Sequence, residues 1–182
     1  MFKRIAAILL FTLTVTLTSC ATSPTSGLAS YIDSYDGYRF LYPNEWIEMN
    51  AANLSPDVIF HDLIERSENA SVIINPVDEG QTLADLGTPT EVGYELSKRA
   101  IAPEGSNRVA ELVSAQLRQD DDGKTYYLFE YAVKLPDQLR HNVASIAISR
   151  GNLFTFNVST TESRWQEIQD KLRLVAKSFS VY

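Results

Sequence analysis

Apolar and aromatic residues fill residues 124–135 almost without a break, Glu130 being the one charge inside the run. There Tyr127, Phe129, Tyr131 and Val133 fall on one side of an extended chain, and Tyr126, Leu128, Glu130 and Ala132 on the other. A run this rich in aromatic and apolar residues, bounded by Lys124 and Lys134, predicts a strand with both faces covered. Residues 109–119, 141–149 and 153–160 read as three more, joined by polar loops, with Arg150-Gly151-Asn152 as a tight turn. Upstream, residues 37–42 predict a strand, Pro43 to Trp46 a turn, and residues 47–49 a further short strand. Residues 58–65 and 70–77 predict a hairpin around the polar stretch Arg66-Ser67-Glu68-Asn69.

The pattern changes twice. Thr88, Pro89 and Glu91 stand where an N-cap, a first helical residue and a capping-box acid would stand, and Val92, Leu96 and Ile101 give an apolar face that runs to Pro103. From about residue 163 to 179, Trp165, Ile168, Leu172, Val175 and Phe179 recur at three and four residues, which predicts an amphipathic helix packed on the sheet. Strands joined by hairpins and two separate helices predict an α+β fold. Its sheet is mostly antiparallel, and the helices cover at least part of both faces.

The first residues follow another pattern. Lys3 and Arg4 precede an apolar run from Ile5 to Leu17 that ends in Thr18-Ser19-Cys20. The run is short for a membrane-crossing helix, which needs about 20 apolar residues. Small residues before Cys20, the only cysteine of the 182 residues, predict a lipoprotein signal at 1–19, cleaved before a cysteine that carries the acyl chains. Stable anchoring takes two such chains, which a diacylglyceryl group provides. Residues 20–30, rich in Ser, Thr, Gly and Pro, are expected to form the acylated cysteine and a flexible tether, with one domain over 31–182.

Loss of Lys3 and Arg4 with the signal leaves 14 basic and 23 acidic residues, a net charge of about −9. Such a chain has no long-range attraction for nucleic acid or for anionic lipid, so the lipid anchor must hold it to a membrane. No nucleophile elbow, phosphate loop, dinucleotide fingerprint or zinc helix is present, which points to a non-catalytic protein. Asp120-Asp121-Asp122-Gly123 invites a calcium loop. Aligning Gly123 with the loop glycine, however, places Arg118 and Phe129 at the two terminal ligand positions, so it reads as an acidic turn. His141 with Asp137, and His61 with Asp62, are the candidate ligands for zinc or manganese, because imidazole and carboxylate suit both ions; a surface hydrogen-bonding pair is the alternative at each.

Three segments taken together resemble the PsbP family of photosystem II extrinsic proteins: residues 36–46 (DGYRFLYPNEW), 71–77 (SVIINPV) and 141–165 (HNVASIAISRGNLFTFNVSTTESRW). Their order and separations are those of the family, and the lipoprotein signal is similar to that of its cyanobacterial form. The resemblance implies an α-β-α sandwich with a central antiparallel sheet and a lumenal position at the thylakoid membrane. It also implies a non-enzymatic role in assembly or support of the oxygen-evolving complex. No cofactor is required; calcium enters only through photosystem II, and the link of family members to zinc or manganese adds interest to His141 and Asp137. The expected partners are photosystem II core or assembly subunits. Arg39, Glu45, Arg140, Arg150 and Arg164 are the candidate contacts, with ordinary solvated charge as the alternative reading.

Overall fold

A computed structural model describes residues 25–50 and 55–182. The predicted signal peptide, Cys20 and most of the tether lie outside the described residues. Ten strands are observed: β1 (Leu28–Asp33), β2 (Tyr38–Pro43), β3 (Trp46–Met49), β4 (Val58–Asp62), β5 (Asn69–Pro76), β6 (Val109–Gln119), β7 (Thr125–Lys134), β8 (Leu139–Ser149), β9 (Asn152–Thr161) and β10 (Ser180–Val181). The helices are α1 (Leu83–Leu86), α2 (Pro89–Leu96) and α3 (Glu162–Ser178), and a π-helical turn, Ser97–Ile101, prolongs α2.

The strands form two antiparallel sheets, a large one in the order β3-β4-β5-β9-β8-β7-β6 and a small one in the order β1-β2-β10. The expected α+β class and antiparallel central sheet are observed. What the pattern missed is the small sheet: β1 begins at Leu28, inside the segment read as tether, and its residues pair with β2 from Leu28 opposite Pro43 to Asp33 opposite Tyr38. A strand whose alternate residues are only half-buried carries a weak hydrophobic signal. β10 is missed for the opposite reason, since two residues are too few to show a period.

The alternation of β7 divides the core as predicted. Tyr126 and Leu128 join one cluster with Phe40, Phe60, Phe154, Phe156, Trp165, Leu172 and Phe179. Tyr127, Phe129, Tyr131 and Val133 join another, packed by Leu83, Val92, Leu96 and Ile101. Thus α3 and the small sheet cover one face of the large sheet, and α1 and α2 cover part of the other.

Local signals explain how the covering layers sit. Thr88 and Glu91 form the predicted capping box: the Thr88 backbone N–H donates to Glu91 Oε2 at 2.8 Å, and the Glu91 N–H donates to Thr88 Oγ1 at 3.4 Å. The spacing of Leu96 and Ile101, five residues, is wrong for one face of an α-helix. The π turn widens the coil there, with the Ala102 N–H bonded to the Ser97 carbonyl at 2.8 Å, and so returns Ile101 to the apolar side. Gly93 lets α2 approach the sheet, because a Cβ at this position would lie 2.9 Å from Phe129 and 3.1 Å from Leu112. Tyr131 fixes the approach by donating to the Gly93 carbonyl at 2.9 Å.

Candidate functional site

β7, β8 and α3 converge on a buried ionic cluster around His141. In β8, His141 pairs opposite Ala132 of β7, so its ring points to the α3 side, the side that Glu130 also faces two residues along. His141 Nε2 lies 3.0 Å from Glu130 Oε1, and Nδ1 lies 3.0 Å from Glu162 Oε2 at the start of α3. The imidazole stacks on Trp165, with ring centroids 3.7 Å apart and planes at 9°. Arg173, two turns further along α3, closes the cluster with a fork onto Glu130, Nε at 3.0 Å from Oε2 and Nη2 at 3.1 Å from Oε1.

Burial acts to raise the Glu130 pKa, but hydrogen bonds from Arg173 and His141 overcome it and hold the carboxyl below its usual range. The Glu130 bond raises the Arg173 guanidinium in turn. A neutral imidazole has one N–H and satisfies one of the two carboxylates, whereas imidazolium donates to both. The arrangement locks α3 to the sheet. It does not gather ligands on one point, because the two glutamates approach opposite nitrogens of one ring.

The predicted partner of His141 is elsewhere: Asp137 is exposed in the turn between β7 and β8. The His61 ring lies 2.8 Å from the backbone carbonyl of Asp62, and the Asp62 carboxylate turns away to accept from the Ile64 and Glu65 amides at 2.8 and 2.7 Å. Among the described residues, the carboxylates that do converge within 4.8 Å are Asp33, Asp36 and Asp57, which include no histidine. Asp120 accepts from the Asp122 and Lys124 amides and from the Tyr126 hydroxyl, which makes this segment an acidic turn between β6 and β7.

The five candidate contact residues separate into two groups. Arg164 bonds Glu68, a carboxylate only 3% exposed that also accepts from Thr160 Oγ1 at 3.0 Å. Arg140 bonds the Ser67 carbonyl and Ser159 Oγ. Both are therefore structural ties, at least in part. Arg39 and Glu45 are exposed, Glu45 lying 3.9 Å from Lys171. Arg150 is exposed as well, but it holds the β8–β9 turn in left-handed backbone, φ 51° with Gly151 at 71°. Its guanidinium packs on Gly37, where a Cβ would lie 2.7 Å from it, and 5.8 Å from the Tyr182 ring centroid. Glu130, Glu162 and Arg173 escaped the sequence reading. Each is a charge on the apolar face of a strong strand or helix, which the sequence does show, but their meeting depends on the β7–β8 register.

No helix among the described residues is long and apolar enough to cross a membrane. The comparisons with known proteins agree with one another. The chain is 46% identical to CyanoP of Thermosynechococcus vestitus over the full length of both, and 46% identical to CyanoP of Synechocystis sp. over 93% of this chain and 92% of that one. The solution structure of cyanobacterial PsbP (CyanoP) from Synechocystis superposes with a TM-score of 0.72 at 45% identity, covering 92% of this chain and 99% of that one. The PsbP family model matches residues 26–181, a span that takes in both sheets and all three helices, and the chain belongs to the PsbP family.

Proposed function

We propose that this protein is a lipid-anchored, non-catalytic accessory or assembly factor of photosystem II. It is held at the lumenal face of the thylakoid membrane by acyl chains on Cys20 and supports the oxygen-evolving complex by docking through its protein surface. The observation that carries the reading is the match to two cyanobacterial CyanoP proteins, over the full length of one, the region of the predicted signal included, and over 93% of this chain with the other. The chemistry of the domain supports it. The most buried ionisable groups, Glu68, Glu130 and His141, each face a partner side chain, as in a scaffold. Metal delivery finds less support, since His141 is engaged by two glutamates and His61 by a carbonyl.

Affinity capture of the tagged chain from detergent-solubilised thylakoid membranes tests this directly, with Cys20→Ala as the anchor control. The reading predicts enrichment of photosystem II core or assembly subunits, and release of the Cys20→Ala protein into the soluble fraction. If the folded protein stays on the membrane and enriches no photosystem II subunit, the reading fails.

A further inference from the structure

The face of the large sheet that carries α1 and α2 is covered only over β6, β7 and part of β8. Beyond the π turn it opens into a cleft of about 350 Å³ on β5, β9 and β8. Its wall is apolar, from Leu96 and Ile101 of the helical layer, Val133 of β7 and Leu135 just beyond it; its floor is mostly polar, with Ile73 and Ala144 among Asn, Ser and Thr side chains. Asn69 and Ser71 also border a second hollow of about 340 Å³, which runs on over β4 past Ile59, His61 and Arg66. The two together make an elongated groove rather than a hole for one ion.

The floor is organised. Ser159 donates to Asn142 Oδ1 at 2.9 Å, Asn142 Nδ2 donates to Asn157 Oδ1 at 3.3 Å, and Arg140 is oriented from behind by the Ser67 carbonyl and Ser159 Oγ. Amide and hydroxyl groups in a row across adjacent strands offer both donors and acceptors, which is what a peptide backbone requires. The charge is as informative. The chain has 23 acidic and 16 basic residues, yet among the described residues none that lines either hollow is acidic, and Arg66, Arg108 and Arg140 all are lining residues. Burial pushes the Arg140 guanidinium below its usual range and the like charge of Arg108 pushes it the same way, against Glu65 and Glu68 behind it. Neither Arg66 nor Arg108 is among the ion pairs of the described residues. The exposed Arg108 and the half-buried Arg140 line one cleft, an arrangement that suits an incoming carboxylate, held in bidentate geometry.

We propose that this groove is the docking site for an acidic, partly apolar peptide segment of a partner protein. Its carboxylates meet Arg108 and Arg140, its backbone lies over Asn69, Asn142 and Asn157, and an apolar side chain rests on Leu96 and Ile101. The partner's identity rests on the photosystem reading above, but the chemistry of the groove is tested without it.

The probe is a short fluorescein-labelled peptide of alternating Glu and Leu, titrated into the purified full chain and followed by anisotropy, beside its Gln-for-Glu analogue. The acidic peptide is expected to bind in a salt-sensitive way, and the Gln analogue about tenfold or more weaker. Arg108→Gln, whose side chain holds nothing else in place, is expected to weaken the acidic peptide by a similar factor; Arg140→Gln also removes a structural tie and serves only as a second variant if it folds. Arg39→Gln, on β2 away from the groove, should leave binding unchanged. Equal binding of the two peptides, unchanged binding by Arg108→Gln, or equal loss in Arg39→Gln would overturn the proposal. So would displacement of the peptide by vesicles of anionic lipid that bind at the same arginines. Success here with no photosystem II subunits in the capture experiment would leave the groove standing and refute only its assigned partner.

Discussion

Along β5, β8 and β9, the residues facing α3 include Ala70, Val72, Val143, Phe154, Phe156 and Val158, all at most 1% exposed. The residues between them, facing the other way, are Asn69, Ser71, Asn142, Thr155, Asn157 and Ser159. The same strands thus present an apolar face and a hydrogen-bonding face, and only the first is fully roofed. On the roofed side the charged groups are spent internally: Glu130 on His141 and Arg173, Glu68 on Thr160 and Arg164. On the open side neither Arg66 nor Arg108 enters an ion pair among the described residues. The contrast teaches that stability and recognition are separated by strand alternation, one to each face.

The largest effect should come from the roofed face. Phe156 is fully buried, with ring centroids 4.5 Å from Phe40 and 5.3 Å from Phe179, so it ties the large sheet to the small sheet and the C-terminal segment. Phe156→Ala is expected to cost about 3–5 kcal/mol in urea unfolding at neutral pH. Asn157→Ala, the next residue on the opposite face, should change stability by no more than about 0.5–1 kcal/mol. Similar losses at both positions would erase the distinction.

Next in size is the ionic cluster. Glu130→Gln keeps the shape but leaves Arg173 and His141 facing a neutral amide, and is expected to cost about 1–3 kcal/mol at neutral pH by the same measurement. Its pH dependence has a definite sign. A carboxyl whose folded pKa is depressed contributes stability above its unfolded pKa, near 4.3, and loses that contribution as pH falls through the lower folded value. Wild type should therefore lose more stability than Glu130→Gln between about pH 7 and about pH 3. Asp36 has the opposite sign, its pKa raised first by burial and then by Asp57 and Asp33, so its protonation relieves strain on acidification in both proteins equally. A parallel acid response in wild type and variant would show that Glu130 is not held as described.

An effect of about the same size tests how the second face acquired its roof. Gly93→Ala puts a methyl group against Phe129 and Leu112, and is expected to cost about 1–3 kcal/mol despite the higher helix propensity of alanine. A stabilised variant, read as a rise in urea midpoint, would mean that α2 is free to shift away from the sheet.

How much of this was legible in the sequence follows from the range of the interactions involved. The faces of β7, the Thr88–Glu91 cap and the apolar stripe of α3 are encoded within a few residues, and each was readable. β1 was not, because its burial depends on β2 alone among its strand neighbours and its composition continues that of the preceding Ser- and Thr-rich stretch. His141 was singled out for its chemistry but given the wrong neighbour. Asp137 is near it in sequence, whereas Glu130 and Glu162 reach it only through the β7–β8 register and the entry of α3. The groove was harder still: Asn69, Asn142 and Asn157 are unremarkable in a linear chain and become a surface only when β5 pairs with β9 across about half the domain.

The division of labour between the faces is tested most directly by repeating the photosystem capture with Arg108→Gln beside wild type, both checked for the same unfolding midpoint. The account predicts unchanged stability with photosystem II subunits reduced about tenfold or more relative to wild type. Full retention of those subunits by a stably folded Arg108→Gln protein would contradict it, and would place the docking surface elsewhere, with the exposed Arg39 and Glu45 next to be changed.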